Sequence, residues 1–349
     1  MNISEHILTQ FTVDAVWLHK SVNVRYQSGF TGDDTDALIA ADCHCLLTDA
    51  RYTQQAREEC PQWETIDHQG RLTGALKAQC ERLGVRRLGV EMQAISAALY
   101  RQLQQEIPTV ELIDTDADQL RQVKSDDEIA SIQHACRIGD RALKDILPLI
   151  RAGVTENELR RELERAMLAH GSERTAFTTI VASGYRSAMP HGIASDKVVA
   201  NGEYITFDFG AVYRGYHSDM TRTFVVGHAS PEQRRMYHAV LHAQEAACAM
   251  IRPETVGSEP DALVRRLLAK DGLASYFTHA LGHSVGLEIH EGPNLSPRES
   301  RALVAGMVVT VEPGVYIPGF GGLRIEDTTV VREDGLQLLT QFPKELVEL

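Results

Sequence analysis

One pattern occurs twice in the last two-thirds of this chain and constrains its fold more than any other feature. It is a capped helix, a second helix, strand-like segments and a hairpin bearing two carboxylates. In the first copy, Ser125-Asp-Asp-Glu128 is a capping box, with Ile129, Ile132, Cys136, Leu143 and Ile146 at helical spacing behind it. Thr155-Glu-Asn-Glu158 opens another helix with Leu159, Leu163 and Met167 inward. The hairpin FDFGAVYRGYHSDMTRTF then carries Asp208 and Asp219. In the second copy, Ser230-Pro-Glu-Gln233 supplies a cap residue, a proline at the first helical position and a glutamine at the third. That helix is expected to reach about Ile251, before Pro253, and a shorter one around Asp261 to Lys270 ends at Gly272. The hairpin TVEPGVYIPGFGGLRIED carries Glu312 and Glu326. The copies lie about a hundred residues apart and share no further sequence likeness, so the repeat is one of pattern. It predicts two similar halves, each giving two acids to a shared centre.

The spacing within each hairpin refines this. Residues 203–212 alternate, with Ile205, Phe207 and Phe209 on one face and Tyr204, Thr206 and Asp208 on the other. Asp208 and Asp219 are symmetric about Tyr213-Arg214, which predicts that they face each other across the hairpin, with Cβ atoms about 4.5–5.5 Å apart. Two carboxylates that close repel unless a cation lies between them, and a pair of divalent ions fits; a solvated surface hairpin fits the two residues as well. Met307-Val-Val-Thr-Val311 runs straight into Glu312, and Leu323 to Val331 returns from a glycine-rich turn with Arg324 and Glu326 on one face. A glutamate ending a buried strand needs a partner, which is either Arg324 or a metal. His283 lies in Gly282-His-Ser-Val-Gly286, where the alternation of Val285, Leu287 and Ile289 predicts a strand. His279, His290 and, upstream, His191 in Met189-Pro-His-Gly192 read equally as core histidines or as functional ones. The HExxH zinc signature is absent.

The first ~120 residues alternate strand and helix patterns. Strands are expected at Val13–Leu18 and Arg87–Glu91, a hairpin over Asp36–Ala40 and Cys43–Thr48, and helices over Arg51–Glu59 and Thr73–Leu83. This predicts a small α/β domain over 1–122 and a larger domain over 123–349. A net charge of −13 disfavours nucleic acid and anionic membrane as partners, since a phosphate surface demands a basic face. No apolar run approaches the roughly 18 residues of a membrane span, and the N-terminus lacks a basic segment followed by an unbroken apolar stretch. The six cysteines form no small-domain disulfide framework. Cys43-His-Cys45 has no second pair to complete a zinc knuckle and reads as reduced strand cysteines. A reducing cytoplasm is the expected compartment.

Taken in order, these segments resemble the metallopeptidase family of Xaa-Pro aminopeptidases, prolidases and methionine aminopeptidases, which share the pita-bread fold. The matching elements are Asp208 and Asp219 with ten residues between them, then His283, Glu312 and Glu326, a His191-Gly192 upstream, and GHxxGxxxH from Gly282 to His290. No ligand position is substituted. The resemblance covers Ser125 to the C-terminus. Tyr26 to Asp33 and Thr48 to Arg57 are more loosely similar to the N-terminal domain of the Xaa-Pro branch. The resemblance implies an α/β (α+β) chain, with a small creatinase-like domain before a pseudo-two-fold pita-bread catalytic domain. It implies two divalent metal ions, for which the hard ligand set favours Mn(II) over Co(II), Zn(II) or Fe(II). Asp208 would bind one ion, Asp219 and Glu326 both, His283 and Glu312 the other. Glu312 would also shuttle the proton of the attacking water, His191, His279 and His290 would line the substrate site and stabilise the tetrahedral intermediate or the leaving nitrogen, with His191 and His290 catalytic beside Glu312, and Arg324 would orient a ligand carboxylate. The implied substrates are short peptides with proline second, and the implied assembly is a homodimer. Three readings stay open beside it: a creatinase-like amidinohydrolase, which the intact ligand set argues against, a non-catalytic peptide-binding module, and a broader aminopeptidase that also takes methionyl substrates.

Overall fold

The capping boxes form where the local sequence asks for them. The structure, a computed structural model, describes residues 3–349 and divides into two compact units, 1–121 and 122–349.

The first unit runs α1 (Ile3–Phe11), β1 (Ala15–Leu18), α2 (Ser21–Ser28), β2 (Asp36–Ala40), β3 (Cys43–Thr48), α3 (Thr53–Glu59), β4 (Glu64–Asp67), α4 (Leu72–Leu83), β5 (Arg87–Val90), α5 (Ala97–Glu106) and β6 (Glu111–Asp114). Its six strands form one sheet in the order β4-β3-β2-β1-β5-β6. The outer pairs are parallel and the central hairpin strands antiparallel. All four residues of β1 are buried. Val16 and Leu18 enter one core with Ile7 and Phe30, and Ala15 and Trp17 enter another with Leu76 and Leu103. A sheet covered on both faces loses the alternation of polar and apolar residues. The sequence therefore signals β1 by an apolar run rather than by a period of two.

The second unit contains α6 (Asp126–Ile146), α7 (Glu156–Ala169), β7 (Ile180–Ser183), β8 (Tyr204–Phe209), β9 (Val212–Tyr213), β10 (Tyr216–His217), β11 (Met220–Val225), α8 (Pro231–Met250), α9 (Ser258–Lys270), β12 (Gly282–Ser284), β13 (Glu291–Leu295), β14 (Val308–Val311), β15 (Gly314–Ile317), β16 (Gly321–Arg324), β17 (Asp327–Arg332) and β18 (Gly335–Leu338). Capping boxes open α6, α7 and α8 at Ser125, Thr155 and Ser230. Each helix pair packs on its own strands. Leu143, Leu159, Leu163 and Met167 meet Ile205, Phe207 and Phe224. Val240, Ala247, Val264 and Leu268 meet Val309, Val311, Leu323 and Ile325. The duplicated pattern thus becomes duplicated architecture, with sheets β11-β8-β7 and β13-β12-β14-β17-β18. Threonines stitch the two halves together. Thr223 Oγ1 donates to the Arg324 carbonyl (3.0 Å), and Thr328 Oγ1 donates to the Asp219 carbonyl (2.7 Å). Among the described residues, no helix is long and apolar enough to cross a membrane.

Candidate metal centre

The candidate side chains lie beside that threonine seam, where Thr221 contacts both Glu326 and Arg324. Asp208 is on β8, whose other face, Ile205, Phe207 and Phe209, is anchored in the core. The register of the hairpin differs from the sequence expectation. Asp208 faces Thr221, not Asp219. Arg214 and Gly215 form a two-residue turn, both with positive φ (51° and 80°), and Tyr213 pairs with Tyr216. This primed turn geometry matches strand twist, and it centres the hairpin one residue later than symmetry about Tyr213-Arg214 would. Asp208's partner therefore lies two residues further on. Side-chain direction repeats every two residues, so Asp219 still projects to Asp208's face.

In the second hairpin, Val311 faces Asp327 and Gly314 faces Arg324, which puts Glu312 and Glu326 at facing positions. The expected single return strand from Leu323 to Val331 is broken at Ile325-Glu326, between β16 and β17. The break turns Glu326 inward, where its Oε2 accepts from Thr221 Oγ1 at 2.6 Å. His283 lies on β12, but the expected strand through Ile289 stops at Ser284, where the register with β13 shifts. Glycine is required at 282, since a Cβ there would lie 2.0 Å from the Thr310 carbonyl oxygen. That close approach of β12 to β14 carries the imidazole inward.

His283 Nδ1 is 3.1 Å from the Ser284 carbonyl. A carbonyl only accepts, so Nδ1 carries the proton and Nε2 presents its lone pair. Nε2 lies 3.5 Å from Asp219 Oδ2 and 3.4 Å from Glu312 Oε1. Donor atoms of Asp219, His283 and Glu326 all lie within 4.8 Å of one another. Against four carboxylates stands the Arg324 guanidinium, in contact with Asp208, donating to Thr221 Oγ1 (2.9 Å) and Tyr316 Oη (2.6 Å). Burial, then the charges of Glu326, Asp208 and Glu312, push the Asp219 carboxyl well above its usual range. Burial, then Glu312 and Asp208, do the same to Glu326. Glu312 is raised to about 7, mainly by burial. Among the described residues, Asp219 Oδ1 and Glu326 Oε1 are buried with no hydrogen-bond partner. Unpaired buried carboxylate oxygens are costly. Hard oxygen donors, one imidazole lone pair and an excess of negative charge are what a divalent cation requires.

One cavity of about 550 Å³ is lined by Asp208, Asp219, His283, Glu312 and Glu326, and also by His191, His279, His290 and Arg324. All nine residues singled out in the sequence thus meet at one place. They do not meet on equal terms. His191 and His290 are exposed, and the His290 ring lies edge-on to His283, with centroids 4.4 Å apart. His279 has both ring nitrogens engaged, Nδ1 with the Ala280 carbonyl (2.7 Å) and Nε2 with Tyr316 Oη (2.9 Å). Burial, then the Arg324 charge, lower its pKa to about 4, so it is neutral. It lines the cavity with both ring nitrogens already engaged. Sequence reasoning missed Tyr316, which links Arg324 to His279, and Thr221, which holds Arg324 and Glu326. Thr221 follows Asp219 by two residues, the period of a shared strand face, and that spacing was the available signal.

The profile of metallopeptidase family M24 matches residues 130–333. The chain belongs to this family. The profile of the creatinase/prolidase N-terminal domain matches residues 5–123 of the same M24 metallopeptidase. It is 41% identical to "Uncharacterized peptidase YqhT" of Bacillus subtilis (strain 168), over 99% of this chain and 98% of that protein. The Xaa-Pro dipeptidase from Bacillus anthracis superposes with a TM-score of 0.96 at 40% identity, over 99% of both chains. The X-Pro aminopeptidase from Thermotoga maritima MSB8 superposes with 0.90 at 38% identity, again over 99% of both. This M24 enzyme is therefore a hydrolase of the metallopeptidase type, with divalent metal ions as the family's cofactor.

The raised Glu312 carboxyl gives a pH-dependent stability difference in the metal-free M24 chain. A carboxyl with a folded pKa of about 7 and an unfolded one near 4.5 holds its proton longer in the folded state. Folding therefore loses stability as pH rises between those values, and the full penalty is reached above 7. Glu312→Gln removes that penalty. Its melting temperature in chelator, relative to the parent, should be unchanged near pH 4.5 and increasingly higher from pH 5 to 8. A difference that stays flat or falls with pH would contradict the burial argument.

Proposed function

We propose that the protein is a dinuclear-metal exopeptidase that releases the N-terminal residue from peptides with proline second. The observation that carries this reading is the convergence of Asp208, Asp219, His283, Glu312 and Glu326 on one cavity, with two buried carboxylate oxygens that have no hydrogen-bond partner among the described residues. These five residues would hold two divalent ions. The oxygen-rich donor set favours Mn(II). Bound ions there supply the Lewis acidity that makes water nucleophilic at neutral pH.

The chain's own groups supply the rest. Glu312 is half-buried with its carboxyl raised to about 7, and its Oε1 accepts from Thr310 Oγ1 at 3.1 Å. It is placed to take the proton from the attacking water and return it to the departing proline nitrogen. That nitrogen belongs to a tertiary amide with no N–H, so a site for it needs no carbonyl aimed at an amide proton. His191 and His290, exposed in the cavity, are placed to donate to the scissile carbonyl oxygen as negative charge develops there. The hydrogen-bonded series Arg324–Tyr316–His279–Ala280 holds the guanidinium that contacts Asp208. Phe177, Ile193 and Ile289 give the cavity an apolar side against which a proline ring packs.

Hydrolysis of Ala-Pro, Ala-Pro-Ala and Met-Ala-Ser, compared with added Mn(II), tests this reading. Cleavage of either proline peptide with Met-Ala-Ser left intact is expected, and the ratio of Ala-Pro to Ala-Pro-Ala separates dipeptidase from aminopeptidase. Preference for Met-Ala-Ser, or inertness toward all three in metal-loaded protein, would overturn it.

A further inference from the structure

The edge of the sheet in the first unit brings together three donors that the sequence keeps apart. Cys43 and Cys45 are two residues apart on β3 and so share a face, and Glu64 on β4 sits opposite Cys45 in the parallel register. Their sulfurs are 3.2 Å apart, and Glu64 Oε2 lies 3.8 Å from Cys43 Sγ and 3.6 Å from Cys45 Sγ. Cys45 is fully buried, Cys43 half-buried and Glu64 exposed, so the group opens to solvent on one side. A cationic nitrogen already sits at its centre. Arg82, in the last turn of α4, places Nη2 at 3.1 Å from Cys43 Sγ, 3.6 Å from Cys45 Sγ and 2.9 Å from Glu64 Oε2. Its Nε donates to Gln79 Oε1 at 2.7 Å, an anchor on its own helix that lets the half-exposed fork swing away.

We propose that Cys43, Cys45 and Glu64 form a site for a thiophilic divalent ion such as Zn(II), in which Arg82 Nη2 is the resident cation that the ion displaces. Two thiolates and a carboxylate make a three-ligand zinc set, with a fourth position open to water where the site meets solvent. Zinc–sulfur bonds of about 2.3 Å and zinc–oxygen bonds of about 2.0–2.2 Å need only small side-chain rotations from the present separations. Soft sulfur ligation makes the site selective against Mn(II) and Mg(II), which prefer oxygen. It is thus chemically distinct from the oxygen-rich centre of the second unit. Binding releases both thiol protons to water, so affinity rises with pH. Burial, then the neighbouring Cys43, push the Cys45 thiol above its usual range.

Cadmium titration of the full chain tests the site, because only thiolate ligation gives a sulfur-to-cadmium charge-transfer band. The oxygen and imidazole centre is silent in that readout. With the oxygen-rich centre first saturated with Mn(II), Cd(II) should produce a two-thiolate band that saturates at one ion per chain. Cys45→Ser should abolish it. Cys43→Ser, at the half-buried position, should reduce it to one thiolate's intensity or less, and guards against misfolding of the buried variant. Glu64→Gln should weaken binding about tenfold, and Arg82→Gln should strengthen it by about the same factor, since it removes the competing cation. The proposal fails if the parent gives no thiolate band, if the band survives in both cysteine variants, or if Arg82→Gln weakens binding.

Discussion

Glu326→Gln should lower turnover of an Xaa-Pro peptide by about a thousandfold at saturating Mn(II), equivalent to about 4 kcal/mol of barrier. The carboxylate is buried, and its Oε2 is held by Thr221 while its Oε1 has no partner among the described residues. An amide in the same place keeps the Thr221 contact and the packing but removes one negative charge from the cation site. Asp219→Asn should behave in the same way, for the same reason. The fold should survive both substitutions. In chelator, Glu326→Gln should melt at a higher temperature than the parent, because burial and the Glu312 and Asp208 charges disfavour the ionised glutamate. Loss of activity with gain of metal-free stability is a combination that a structural role for Glu326 does not give. Undiminished turnover with parental metal content would remove Glu326 from the metal set.

Arg324→Met is the second large effect, with the opposite sign on stability. Arg324 is 4% exposed and contacts Asp208, Thr221 and Tyr316. Methionine fills much of the volume but leaves Asp208 without its cation. Breaking a buried ion pair from one side costs about 3–5 kcal/mol. For a unit of this size that lowers the melting temperature by on the order of 10 °C in chelator. Mn(II) should recover much of the loss, because ions in the same cavity supply charge to the same carboxylate. Lysine should not rescue the contacts, since three acceptors in different directions need a planar fork rather than a point charge. A metal-free Arg324→Met variant that melts within a degree or two of the parent would show that Asp208 does not depend on this partner.

Both expectations concern residues that were conspicuous in the sequence, while their geometry was not. The helices were legible because their signals are local. Ser125, Thr155 and Ser230 each find their partner three residues on, and the structure has all three capping boxes. The hairpin carrying Asp208 was legible as a hairpin but not in register. Its centre was fixed by the positive φ angles of Arg214 and Gly215, a choice of turn type that strand alternation does not encode. The strand expected through Ile289 ended at Ser284, although Val285, Leu287 and Ile289 alternate. Two of those three are buried, so their spacing tracks burial in a compact turn rather than extension. The short helices α2 and α5 and the edge strands β4 and β6 gave weaker patterns. Both edge strands read exposed-half-half-exposed in burial and lack a clean period.

Residue type, order and local spacing by themselves determined the two-part organisation, the duplicated helix pairs and the identity of the acids, imidazoles and guanidinium that share the cavity. Those are properties of side chains and of neighbours within a few residues. Only the tertiary structure decided which atoms face one another: that Glu312 and Glu326 oppose across a hairpin, that Tyr316 occupies both Arg324 and His279, and that Glu64 and Arg82 close around Cys43 and Cys45. Such contacts join segments tens to hundreds of residues apart. Their distances are set by sheet register and by the packing of each helix pair on its own strands, which no local pattern in the chain records.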